Sequence, residues 1–251
     1  MLLFFACSIP DAPETLDELG SYIFTEYSNG DPRYMQQGVE NLRIWIEENR
    51  EEVQEGYRIE NLSYEAVEKL EIDEEVNLEG LIGAAVATDL SLSLEEVISF
   101  MITADPMDIN PDAYGYFDRT WDNDLDCFLS KECQQINYIA DTHSYFPLGI
   151  ELFSQVYGQY MWVYTEYGDY VVQRRWMLAP GESNMDWFQA DQDYAISVLI
   201  PTESGMRFMD MEWIVTYLGD IPVPEDFAIG LAIDTIIKNR RQIESYIIEN
   251  Q

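Results

Sequence analysis

Two adjacent arginines, Arg174 and Arg175, stand in a run crowded with aromatic side chains: Tyr160, Trp162, Tyr164, Tyr167, Tyr170 and Trp176. The chain has only 13 Lys and Arg residues, so two of them together among aromatics invite a functional role. A guanidinium can pair with a ligand carboxylate or phosphate, or stack on Trp162 or Trp176. The competing role is pairing with surface Asp and Glu, which contributes little. Strand alternation lets only one of the two point inward. Met177, Met206, Met209 and Met211 lie in the same strand-rich half, where flexible thioethers suit either an irregular cavity or ordinary core packing.

Other residues that could do chemistry are few. Asp122, Asp124 and Asp126 alternate like the opening of a calcium loop, but the glycine and the closing bidentate glutamate of an EF-hand are missing, with Cys127 and Cys133 near those places. A non-standard calcium site stays open. Two thiols and the lone His143 are too few ligands for structural zinc. No nucleophile elbow, metal-binding helix or phosphate loop is present, which leaves a hydrolase triad without support and makes His143 a structural residue. No cofactor is implied. A carboxylate pair could do acid and base work, but among 48 Asp and Glu residues the sequence cannot choose one.

A formal charge of −35 over 251 residues repels phosphate backbones and excludes nucleic acid as a direct partner. The same field disfavours anionic lipid surfaces and favours cations or a basic protein. With 47% hydrophobic and 14% aromatic residues, the chain has enough to bury that it should fold despite the charge.

Residues 1–7 form an apolar run ending Ala6-Cys7, followed by Ser8 and a polar stretch with Pro10 and Pro13. This resembles the end of a bacterial lipoprotein signal, with Cys7 as the lipidated residue and 1–14 as signal remnant and tether. A cytosolic protein with a fortuitously apolar start is the alternative. No other stretch approaches a membrane span, so any anchoring is by lipid. In an exported, periplasmic or cell-surface protein, Cys127 and Cys133 would form a local disulfide.

The elements that must position these residues follow from periodicity. Segment 15–77 is helical and acidic, with Leu16, Leu19, Ile23 and Phe24 on one face, Val39, Leu42, Ile46 and Val53 on another, and Ser63 as an N-cap. Gly80 to Ser91 reads as a strand, and Leu94 to Ile102 as a helix entered at Ser93. Residues 104–126, rich in Pro, Asp, Asn and Gly, read as a long ordered loop with short helical turns. From Ile136 strands dominate. Tyr160 to Tyr167 and Tyr170 to Leu178 form a hairpin around Gly168-Asp169, with Trp162 opposite Arg175 and Thr165 opposite Val172. Tyr194 to Ile200 and Met206 to Leu218 form a second hairpin. A long helix then runs to about Glu249, with the apolar stripe Phe227, Ile229, Ile233, Ile236, Ile237, Ile243 and Ile247, and Lys238, Arg240 and Arg241 toward its C-terminal half.

A strand, a short helix opening Ser93-Leu94-Glu95-Glu96-Val97, antiparallel hairpins and one long terminal helix resemble the START-like (SRPBCC, helix-grip, Bet v 1-like) superfamily. The likeness is one of topology and covers residues 78–251. It implies an α+β fold: a curved antiparallel sheet wrapped around the C-terminal helix, preceded here by the N-terminal helical segment. It further implies an apolar cavity under that helix for a lipid-like small molecule. Candidate ligand contacts are Trp162, Tyr164, Arg174, Arg175, Trp176, Met209, Met211, Trp213, Gly230 and Ile233; Gly230 costs helix propensity and so can mark close approach. The expectation is a non-catalytic binding or transport protein. An acidic module of inhibitor or immunity type for a basic partner, and a cyclase-like enzyme on the same fold, are the alternatives.

Overall fold

The computed structural model describes residues 11–70, 72, 78–146, 149–217, 219 and 224–250. Cys7 and most of the 1–14 segment lie outside the described residues.

The helical period of the N-terminal quarter becomes α1 (Leu16–Glu26), α2 (Pro32–Glu48), α3 (Arg50–Glu55) and, after strand β1 (Tyr57–Ile59), α4 (Tyr64–Val67). Pro32 and the Asp31 carboxylate, which accepts from the Arg33 N–H, start α2, and the Ser63 hydroxyl accepts from Ala66 N to start α4. Strand β2 (Ile82–Leu90) leads into α5 (Leu94–Thr103) through a capping box: Ser93 Oγ accepts from the Glu96 N–H, and the Glu96 carboxylate accepts from the Ser93 N–H.

Residues 104–126 are more ordered than their composition implies. Besides α6 (Pro106–Ile109) and the start of α7 (Leu125–Leu129), they contain an eight-residue strand, β3 (Tyr114–Trp121). Phe117, Arg119 and Trp121 are half-buried while Tyr116, Asp118 and Thr120 are exposed. That alternation is easy to miss because β3 is an edge strand and keeps a polar side.

The remaining strands are β4 (Gln135–Phe146), β5 (Ile150–Thr165), β6 (Gly168–Met177), β7 (Glu182–Ser183), β8 (Gln189–Thr202) and β9 (Gly205–Tyr217), followed by α8 (Glu225–Glu249). The antiparallel sheet runs β1-β2-β9-β8-β6-β5-β4-β3, with β7 beside β5. In the β5–β6 hairpin Thr165 pairs with Gly168 and Trp162 with Val171, so Glu166 and Tyr167 form the turn, and Arg175 lies opposite Gly158 rather than Trp162. Gly168, at φ 144°, opens the returning strand instead of occupying the turn. The slip is even in number, so every side chain keeps the face expected for it.

Both faces of the sheet are covered. On one, Leu16, Leu19, Ile23 and Phe24 of α1 and Val39, Leu42 and Ile46 of α2 share a core with Tyr194, Ile196, Met209, Met211 and Trp213. On the other, Leu94, Val97 and Ile98 of α5 and Phe128 of α7 pack with Trp162, Val171, Leu199 and Phe208, joined by Ile243 and Ile247 of α8. The first half of α8 rests Ile229, Ile233 and Ile236 on Ala84 and Val86 of β2. Phe227 falls outside this stripe and is exposed. Among the described residues no helix is long and apolar enough to cross a membrane.

Candidate functional site

The face beneath α8 is not apolar throughout. Strand register lines up transverse rows of side chains: Trp162, Val171, Leu199 and Phe208 form an apolar row, and the next two rows are Tyr160, Gln173, Ser197 and Asp210, then Tyr138, Gly158, Arg175, Ala195 and Glu212. Above the two polar rows, α8 leaves a cavity of about 260 Å³, roofed by Thr235, Ile236, Asn239 and Arg240 and rimmed by Met101, Ile109, Tyr114 and Phe117. The volume is near the lower end for small-molecule sites, and the site combines an aromatic rim with a charged floor.

Two ion-paired groups make that floor. Arg240 reaches down from α8 and grips Asp210 with both ends of its guanidinium, Nε to Oδ2 at 2.9 Å and Nη2 to Oδ1 at 2.6 Å, while Ser197 Oγ donates to the same Oδ1 at 2.6 Å. Its guanidinium also lies 4.0 Å over the Phe208 ring. Beside it, Arg175 Nη2 contacts Glu212 Oε1 at 2.5 Å and Asp193 Oδ2 at 3.3 Å. Burial opposes the charge of both arginines, but their carboxylate partners outweigh it and hold both pKa values above the ordinary range. Glu212 behaves oppositely. Burial, and then the neighbouring Asp193 charge, push its pKa up to about 7 against the pull of Arg175.

Several polar groups here are unspent. Gln173, Tyr138 and Tyr160 line the cavity, and none of their side chains makes a hydrogen bond among the described residues. Burial raises the Tyr160 pKa, so that phenol stays protonated and can donate. Gly158 makes room for Tyr138: a Cβ there would collide with the phenol ring. At the rim, Arg119 donates to the carbonyls of Met101, Ile102 and Ala104 at the end of α5, and lies 4.5 Å over the Trp121 ring.

Of the residues singled out from sequence, Arg175 belongs to this cavity. Trp162 faces the same side but lies in the apolar row, donating Nε1–H to the Phe128 carbonyl at 2.9 Å with Lys131 over its ring. Arg174, Trp176, Met209, Met211 and Trp213 lie on the other face, packed in the core that α1 and α2 cover. Ile233 packs on β2, Gly230 sits on the exposed side of α8 with open space around it, and Tyr164 is partly exposed near the hairpin end. The structure thus separates Arg174 from Arg175 and brings Arg175 together with Gln173, Asp210, Glu212 and Arg240, which the sequence did not single out as a site. One signal was present. Met209-Asp210-Met211-Glu212-Trp213 alternates acids with large apolar residues inside a strand, which places two carboxylates on one buried face. Arg240, read from the sequence only as a cation in the C-terminal half of the helix, turns inward to Asp210.

The other candidates have structural uses. Cys127 and Cys133 form a disulfide across α7, with Cα atoms 5.2 Å apart. Asp124 caps α7 through Asp126 N, and Asp122 accepts from the backbone and side chain of Asn137. No group of three or more metal-ligating side chains occurs among the described residues. His143 lies 2.9 Å from the Glu151 carboxylate and stacks on Phe153.

No family model matches the chain, and no curated protein matches it significantly in sequence. Solved structures do align with it. The protein TTHA0849 from Thermus thermophilus aligns at 10% identity over 68% of this chain and 99% of that one, with a TM-score of 0.44. A START superfamily protein from Mycobacterium smegmatis aligns with the same identity and coverages at a TM-score of 0.39. The di-domain ARO/CYC StfQ of the steffimycin biosynthetic pathway aligns at 10% identity over 87% of this chain and 60% of that one, with a TM-score of 0.40. This chain is α+β, with an open antiparallel sheet, a capped helix after β2 and a long terminal helix laid on one face, the arrangement that its resemblance to the START-like superfamily implies.

Proposed function

We propose that this chain binds or carries an amphipathic small molecule in the cavity under α8, with the aromatic rim taking its apolar body and the polar floor its hydrogen-bonding end. The observation that carries this is Gln173, whose side chain lines the cavity with no hydrogen-bond partner among the described residues, between Tyr160 and the Ser197–Asp210 pair. Polar groups that face the cavity without a protein partner offer hydrogen bonds to an occupant that carries polar atoms. The sequence led to an apolar, lipid-like ligand; the charged floor favours one with a polar end. The Cys127–Cys133 disulfide supports an exported setting, as expected for a lipoprotein tethered through Cys7.

A second reading is catalysis on the same ligand, in line with a cyclase-like enzyme. Glu212, with its pKa near 7 and an arginine beside it, can exchange a proton at neutral pH. Native mass spectrometry with organic extraction tests the first reading: a co-purifying small molecule should be present, and Gln173→Leu should reduce its occupancy. A protein that carries none and takes up no amphipathic probe would overturn it. An extracted ligand returned chemically altered after incubation, but unaltered with Glu212→Gln, would establish the second reading.

A further inference from the structure

A larger hollow lies on the opposite face of the sheet, between the turn joining α1 to α2, the start of β4 and the second half of β5. Its volume is about 620 Å³. Buried Met35 and Val163 and half-buried Met161, with Pro32, supply apolar surface, and three glutamines, Gln36, Gln134 and Gln135, stand around them.

Those glutamines have hydrogen-bonding capacity to spare. Gln36 Nε2 donates to the Tyr164 carbonyl at 2.7 Å, Gln134 Nε2 to the Trp162 carbonyl at 3.2 Å and Gln135 Nε2 to Asn137 Oδ1 at 2.8 Å. Each nitrogen thereby spends one of its two N–H groups on the protein, and each Oε1 accepts nothing among the described residues. Beneath them Arg174 donates to Gln159 Oε1 and to Ser28 Oγ, both in the wall of the hollow, and has no carboxylate partner among the described residues. The Tyr27 hydroxyl, in the same wall, is buried and also unpartnered among the described residues.

These features select the chemistry of an occupant. The free carbonyl oxygens call for hydrogen-bond donors and the remaining amide N–H groups for acceptors, which hydroxyls supply together. The uncompensated guanidinium in the floor opposes a cation. A neutral molecule with several hydroxyls and apolar C–H faces for the methionines meets both demands, which describes a saccharide. We infer that the hollow between the α1–α2 turn and β5 is a binding site for a neutral mono- or disaccharide, separate from the cavity under α8. Its volume suits one or two sugar rings.

The test is saturation-transfer NMR on the whole protein with glucose, galactose, N-acetylglucosamine, maltose, cellobiose and chitobiose, alongside putrescine and citrate as charged probes. At least one neutral sugar should give a signal. Gln134→Met with Gln135→Met removes two acceptors from partly exposed positions and should weaken its binding about fivefold or more. Gln36→Met should do so independently, and Glu212→Gln in the other cavity should leave it unchanged. Absence of any sugar signal, binding of putrescine or citrate alone, or a sugar signal indifferent to both glutamine variants in protein with unaltered near-ultraviolet circular dichroism would overturn the inference. The site does not rest on the α8 cavity, so each can fail without the other.

Discussion

Arg174 and Arg175 are consecutive, yet their guanidinium groups lie on opposite faces of one sheet, the first against α1 and the second in the cavity beneath α8. Arg174 is 3% exposed and among the described residues has only neutral acceptors: the Phe24 carbonyl at 2.9 Å, Ser28 Oγ and Gln159 Oε1, with the rings of Tyr27, Trp176 and Phe24 around it. Burial lowers its pKa to about 10, which still leaves it charged at neutral pH. It therefore ties the C-terminal end of α1 to the sheet, where a cation also meets the favourable end of the helix dipole.

Truncation at the two positions should separate these roles. Arg174→Ala leaves the buried Phe24 carbonyl and Gln159 amide oxygen unsatisfied and should cost about 3 kcal/mol of unfolding free energy by urea titration. Arg174→Met, which keeps the stem and removes the charge, should cost clearly less. Arg175→Met should lower ligand occupancy under α8 and leave α1 docked. Equal losses of stability for Arg174→Ala and Arg174→Met would show that the hydrogen bonds, not the packing of the stem, hold the helix.

Glu212 makes stability depend on pH in the direction opposite to an ion-paired surface acid. Its folded-state pKa is raised from the ordinary 4.5 to about 7, so the folded protein favours the neutral carboxyl. The resulting contribution is complete below pH 4.5 and is lost as pH rises through 7, a difference on the order of 3 kcal/mol. Glu212→Gln keeps a neutral hydrogen-bonding group and removes the titration. Denaturation midpoints of the two proteins should lie close at about pH 4.5 and diverge by about pH 8, with the variant more stable. A constant difference across that range would place the Glu212 pKa elsewhere.

Much of this arrangement could be read from the sequence, for identifiable reasons. The Ser93 helix start, the second hairpin and the long isoleucine-rich α8 are local signals whose elements formed where they lie, whereas the first hairpin turns at Glu166-Tyr167 and not at Gly168-Asp169. The strand β3 was missed because Gly115 and Asp118 mask its alternation. The cavity residues were missed for a different reason. With α1 and α2 covering the second face, β9 is buried on both sides, and Met209, Met211 and Trp213 gave the stronger apolar signal although they face away from α8. Which of two buried faces carries the site depends on tertiary packing, and Arg240 finding Asp210 across 30 positions leaves no local trace.

The disulfide should matter through α7. Cys127 and Cys133 close a short loop around Phe128, whose ring packs on Trp162 and whose carbonyl accepts the Trp162 indole N–H. Chain-entropy reasoning gives about 2 kcal/mol for a loop of this length. Cys127→Ser with Cys133→Ser should lower the thermal midpoint and red-shift tryptophan emission as water reaches Trp162. Added reductant should reproduce both effects in the native chain and leave the double variant unaffected. A midpoint indifferent to reductant would mean that α7 holds its place without the bond.

Gly158 sets the shape of the cavity floor by what it lacks. A methyl group there would overlap the Tyr138 ring, and neither β4 nor β5 can move apart without breaking their shared ladder. Gly158→Ala should therefore expel the Tyr138 ring from its position beside Arg175, destabilise the fold by about 1–3 kcal/mol and reduce ligand occupancy. Tyr138→Ala alone should enlarge the floor and cost stability as a cavity does. Combined with Gly158→Ala it should recover part of the loss, because the added methyl then occupies vacated space. The measurement is a double-mutant cycle in urea; strictly additive losses would show that the two residues do not share this space in solution.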